Sequence, residues 1–151
     1  MEPRMTHPVF ILPDAMDALQ AVGKTAHDSG LTQTMVEIVN LRASQINGCS
    51  VCVEMHSRAL KKAGESDERI FGVAAWRETP YFTEAERAAL AITEALTRLS
   101  DRPDAVTDEI WDDVADNFDE KALAGLLLTI ANINVWNRLN AATRQMAGTA
   151  W

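Results

Sequence analysis

A chain of 151 residues has room for one domain with a real core and is too short for two. Apolar residues make up 47%, which excludes a chain disordered beyond its ends. The formal charge of −8, from 14 basic against 22 acidic residues with no basic run, makes nucleic acid and anionic membranes poor partners.

Taken in chain order, the signals are helical. Met16, Leu19, Ala21 and Val22 recur at helical spacing between Asp14 and His27, and Gly30 marks a stop. Thr32 is placed to cap a second helix carrying Met35, Ile38, Val39, Arg42 and Ile46, ended by Asn47-Gly48. A third helix opens at the cysteines and runs through His56 and Leu60 to about Lys62, with Ala63-Gly64 closing it. Ser66 caps a short helix through Ile70, Phe71 and Ala74. After the break at Pro80-Tyr81-Phe82, Thr83-Glu84-Ala85-Glu86 fits a capping box for a helix with Leu90, Ile92, Leu96 and Leu99. Arg102-Pro103-Asp104 separates it from a segment capped by Thr107, and a last helix starts near Asp119 and continues to about Arg144. No strand-length run of β-branched residues stands between turn signals, and there is no repeat. The expectation is an all-α bundle of about six or seven helices.

No uninterrupted apolar stretch reaches the length of a membrane span; even Ala122 to Val135 is broken by Gly125, Thr129 and asparagines. Met1-Glu2-Pro3-Arg4 lacks the layout of a secretion signal, so the expected home is the cytoplasm. There a structural disulfide is the weakest reading of Cys49-Ser50-Val51-Cys52, which leaves redox chemistry or metal binding. Thiols react as thiolates, and a helix N-terminus or a nearby imidazole lowers a thiol pKa. Cys52 and His56 are four apart on one helical face, so Cys52 receives both stabilisers and Cys49 mainly the first. Cys52 is therefore read as the attacking thiolate and Cys49 as the resolving thiol. Glu37, twelve positions before Cys49 and beside Val36, Ile38 and Val39, comes near the thiols if the two helices pair antiparallel. An exposed Glu on a helix face is the plainer reading. The rival chemistry is zinc held by Cys49, Cys52, His56 and Glu37.

The run from Glu37 through Arg42, Ser44, Asn47-Gly48-Cys49 and Cys52 to His56 resembles the core signature of the alkylhydroperoxidase AhpD family. That family lies within the carboxymuconolactone decarboxylase-like superfamily. The pattern is Glu, eleven residues, Cys, two residues, Cys, three residues, His, and every one of those positions matches. The likeness continues through Ala74-Ala75-Trp76-Arg77-Glu78, Phe82 to Leu90, and Asn132-Ile133-Asn134-Val135-Trp136-Asn137-Arg138. It spans about 34–144, with the core signature at about 34–90, and treats 1–151 as a single domain.

The resemblance implies an all-helical subunit assembling as a homo-oligomer. It implies a thiol peroxidase that reduces hydroperoxides through a Cys49/Cys52 disulfide, with Glu37 and His56 as proton relay and the second cysteine attacking. A lipoyl-type or thioredoxin-like dithiol is the implied reductant, and no cofactor is implied. The best-characterised branch carries a second His immediately before the second Cys, where this chain has Val51. The namesake decarboxylases do not use this cysteine pair, which argues against lactone decarboxylation. The alternative within the superfamily is a redox-sensing or zinc-binding oligomer without turnover.

Outside this motif, His7 and His27 are read as ordinary. Arg42 and Ser44 are read as structural, satisfying helix ends or pairing with Glu37. Trp76 and Trp136 are read as packing or interface residues, and Met35, Met55 and Met146 as core gap-fillers. Asn132, Asn134, Asn137 and Arg138 interrupt an apolar helix and are read as lining the site, bridging subunits or facing water, with an interface favoured over chemistry. His56→Ala is expected to leave the fold intact.

Overall fold

A free backbone N–H in a first helical turn needs an acceptor, and from the third helix onward a side chain supplies one at every start. The computed structural model describes residues 2–148. Its helices are α1 (Pro8–Ile11), α2 (Pro13–Asp28), α3 (Gln33–Asn47), α4 (Ser50–Lys62), α5 (Asp67–Gly72), α6 (Glu84–Thr97), α7 (Asp108–Asn117) and α8 (Glu120–Thr143). A 3-10 segment, Val73–Glu78, continues α5, and a second, Leu99–Asp101, follows α6. Thr32, Cys49, Ser66, Thr83, Thr107 and Asp119 are the N-caps of α3 to α8, each accepting from the N–H three residues on. The capping box of Thr83 and Glu86 is fully formed. Each such cap is worth about 1 kcal/mol.

The fold is all-α, as expected, with eight α-helices among the described residues rather than six or seven. The extra count comes from α1, a single turn that hydrophobic periodicity is too short to reveal. It is set by Pro8 at its first position and by His7, whose Nδ1 accepts from the Val9 N–H.

Helix α3 is the hub. It packs on α4, α6 and α8, so Met35, Val36, Ile38, Val39, Leu41 and Ala43 are buried all round it. One core cluster lies between α3, α6 and α8 around Val39, Ala89, Ile92, Leu126 and Ile130. A second lies under α4 and the 3-10 segment, around Ile38, Leu41, Leu60, Val73 and Trp76. A third, small cluster is formed by Ala43, Cys49, Val51, Cys52 and Ile133, with Trp136 against it. That third cluster is where the chemistry sits.

Two close approaches hold the frame. A Cβ on Gly125 of α8 would collide with Ser29, so only glycine lets the end of α2 lie against α8. Glu94 on α6 accepts from Arg42 of α3 (2.8 Å from Nε), from Trp76 Nε1 (2.9 Å) and from Arg77 (2.6 Å). Burial pushes its pKa up, but these bonds outweigh burial and hold the carboxyl below the usual range. Arg42 is thus structural, as expected, but its carboxylate is Glu94 and not Glu37. No helix among the described residues is long and apolar enough to cross a membrane.

Candidate active site

The left-handed turn at Gly48 (φ 67°) reverses the chain between α3 and α4 and leaves Cys49 as the α4 N-cap. Glycine adopts that backbone without the strain a Cβ would bring. Cys49 Sγ accepts from the Cys52 N–H at 3.4 Å, and Cys52 occupies the third helical position. Both thiols are buried and unbridged.

The antiparallel pairing of α3 and α4 brings Glu37 to His56, with Glu37 Oε2 2.7 Å from His56 Nδ1. Both side chains are buried, at 8% and 7% exposure. Glu37 Oε1 accepts in turn from the Gln33 side-chain amide. The plainer reading of Glu37 as an exposed residue is therefore corrected. Geometry also corrects the expected contact between imidazole and sulfur. Among the described residues no hydrogen bond joins His56 to either thiol, and its Nε2 is buried without a hydrogen-bond partner.

Asn140, one turn before the end of α8, does what the imidazole was expected to do. Its Nδ2 donates to Cys52 Sγ at 3.2 Å and to Cys49 Sγ at 3.5 Å, while its buried Oδ1 has no hydrogen-bond partner. The asparagines before it keep it there. Asn47, in the last turn of α3, donates to Asn134 and Asn137 Oδ1, each at 2.9 Å. Asn137 donates to Ser44 Oγ at 3.1 Å, and Asn134 to Thr97 Oγ1 at 3.2 Å. Asn134 and Asn137 bind helices of their own chain to one another, which replaces the expectation that they bridge subunits. Such satisfied buried amides fix register between helices.

Charge in the thiol pair falls on Cys49. The bond from the Cys52 thiol draws it down to about 6, against the upward push of burial, with help from the Cys52 N–H and Asn140. Cys52 is pushed above the ordinary thiol range by the same bond, by burial and by the charge on Cys49. Two adjacent thiols holding one proton titrate as a pair. Where the expected thiolate is on Cys52, these contacts favour charge on Cys49, chiefly because its sulfur accepts the bond from the Cys52 thiol and also the backbone N–H.

A cavity of about 640 Å³ opens beside the pair. Cys52, His56 and Asn140 line it together with Val51, Ile133, Trp136 and Met146, whereas Cys49 does not. Met55 lies on its wall at 54% exposure, so it is not a core gap-filler. His7, read as ordinary, is buried and stacked on Trp136 with ring centroids 5.9 Å apart. Among the described residues no three His, Cys, Asp or Glu side chains converge as a metal-holding group. Glu37 is bonded instead to His56.

Comparison with known proteins agrees with this architecture. The carboxymuconolactone decarboxylase family model matches residues 13–95. The uncharacterized protein YdfG of Bacillus subtilis is 33% identical over 139 residues, covering 92% of this chain and 93% of its own. A solved structure from Agrobacterium tumefaciens, of a protein of unknown function described as a candidate antioxidant defence protein AhpD, is 30% identical. It superposes with a TM-score of 0.89 over 99% of this chain and 100% of its own. The debrominase Bmp8 shares the fold, with a TM-score of 0.81 at 22% identity over 93% of this chain and 75% of its own. With the family model spanning more than half of its length and the AhpD-like helical fold complete, the chain belongs to the carboxymuconolactone decarboxylase family.

Proposed function

We propose that the protein is a thiol-dependent peroxidase, reducing hydroperoxides through Cys49 and Cys52 with an external dithiol as reductant. The observation that carries this reading is one convergence. Cys52 of an unbridged C-x-x-C pair at a helix start, the amide that holds both sulfurs and the imidazole of a buried His–Glu pair all border one largely apolar cavity.

Cys52 is the attacking sulfur because it borders the cavity. As it attacks the outer oxygen of the hydroperoxide, its proton passes along the existing hydrogen bond to the Cys49 thiolate, and reaction of the Cys52 thiolate draws the transfer forward. An S–O bond forms and the O–O bond breaks, leaving a sulfenic acid on Cys52 and an alkoxide. His56 Nε2, unpartnered in the cavity wall, donates the proton that turns the alkoxide into an alcohol, and Glu37 on Nδ1 holds the ring in place. Cys49 then displaces the sulfenic oxygen, closing the disulfide. Asn140 N–H donation follows the negative charge from one sulfur to the other. Val51 leaves a single imidazole at the site and makes the wall beside Cys52 apolar.

A lipoyl-type or thioredoxin-like donor is the reductant this reading requires. The apolar side chains left exposed at Phe10, Ile11, Leu12, Leu128 and Val135 suit a homo-oligomer, and the chemistry suits the cytoplasm. The test is turnover of organic hydroperoxides with a panel of dithiol donors. Activity is expected in the native chain and not in Cys52→Ser or Cys49→Ser; turnover that survives Cys52→Ser removes the mechanism.

A further inference from the structure

Glu37 has two sides. Its partner His56 borders the thiol cavity, whereas Glu37 itself lines a second cavity of about 340 Å³ between α2, α3 and α8. Asn40 and Asn132 line both, so these two side chains and the Glu37–His56 pair form the partition. The charged or titratable groups around the second cavity are Lys24 and His27 from α2 and Glu37 from α3; α8 contributes only Thr129 and Asn132. A space that size holds several waters against polar walls. His27 is exposed to solvent.

We propose that this second cavity is the proton inlet of the enzyme, and that His27 delivers protons from solvent to Glu37, which passes one to His56 Nδ1 as Nε2 gives its own to the alkoxide. The proposal rests on the peroxidase reading. One thiol and one thiolate, a hydroperoxide and one proton give a disulfide, an alcohol and water. The thiol's proton and the added one satisfy the alkoxide and the hydroxide that leave. Above the pKa of the pair that added proton must come from solvent. A hydrophobic substrate seated in the thiol cavity closes that side to water, whereas the far side of Glu37 stays open. A relay with its inlet behind the base, away from the substrate, can recharge His56 without releasing the reacting groups to solvent.

The test is a single turnover of the reduced protein with an organic hydroperoxide at pH 8 in weak buffer. Thiol loss is followed by rapid quench and proton uptake by an indicator dye. The native chain is expected to take up one proton per disulfide. His27→Gln, which leaves thiols, Asn140, Glu37 and His56 in place, should slow the uptake about three- to tenfold. Added imidazole should restore it in proportion to concentration while leaving the native rate unchanged, a rescue that a merely structural role for His27 cannot give. Gln20→Trp, at the wall of the same cavity, should slow uptake without imidazole rescue. Uptake rates for His27→Gln equal to native, or slowed but insensitive to imidazole, overturn the inlet and leave the peroxidase reading standing. A native protein whose thiols survive the hydroperoxide overturns the reading on which the inlet rests.

Discussion

The side-chain amide of Asn140, in the last turn of α8, lies 3.2 Å from the sulfur of Cys52 in the first turn of α4. Two helices far apart in sequence meet here, and α8 thereby reaches the reactive pair. Asn140→Leu keeps a side chain of similar size and removes the donor to both sulfurs. A hydrogen bond to a charged group is worth about 1.5–3 kcal/mol, so the first thiol pKa should rise by roughly one to two units. Alkylation rates across a pH series read that shift directly; an unmoved midpoint removes Asn140 from the thiolate's support.

His56→Ala is expected to be destabilising, where the sequence alone led to the expectation of an intact fold. The substitution strands the buried Glu37 carboxylate with only Gln33 beside it. Removing one member of a buried ion pair costs about 3–5 kcal/mol. Urea unfolding should show the midpoint falling at constant m value, and the double variant His56→Ala, Glu37→Leu should recover most of the loss.

Reduced protein should change stability with pH through the thiol pair. Cys49 is lowered to about 6 from an ordinary value near 9, so its contribution is full above the unfolded value and is lost as pH falls through 6. Cys52 is raised, so above about pH 9 the unfolded chain ionises a thiol that the folded chain keeps protonated, and stability falls again. Relative to Cys49→Ser, Cys52→Ser, the native reduced chain should gain stability between pH 6 and 9 and lose it beyond. A flat difference across that range contradicts the paired titration.

Glu94→Ala should be among the most destabilising single changes, by about 3–5 kcal/mol, because it leaves Arg42 and the Trp76 N–H without their acceptor. Nothing in that cluster touches the sulfurs. The thiol titration of the variant should therefore match that of the native chain at temperatures where both are folded.

Much of this was legible in the sequence, and the reason lies in range. Caps such as Thr32, Thr83, Thr107 and Asp119 announce helix starts because their partners are three residues away. The Glu37–Cys49–Cys52–His56 spacing is likewise a property of one helical hairpin. Asn140 was not singled out because its meaning comes from a contact across 88 residues. A hint was present: Ile133, Asn137 and Asn140 fall on one stripe of α8, and a polar residue on a buried stripe needs a partner. Which thiol of the pair is favoured for the charge was not legible for a subtler reason. Position in the first turn did not say which sulfur receives the N–H and which donates.

The central claim is that Cys49 and Cys52 act together on a hydroperoxide. The most direct measurement is mass spectrometry and thiol counting on fully reduced protein given one equivalent of an organic hydroperoxide, without any reductant. The account predicts loss of both thiols and a Cys49–Cys52 disulfide, with Cys49→Ser stopping at a sulfenic acid on Cys52. Two thiols remaining free, or oxidation that begins on Cys49 in Cys52→Ser at the native rate, would contradict it.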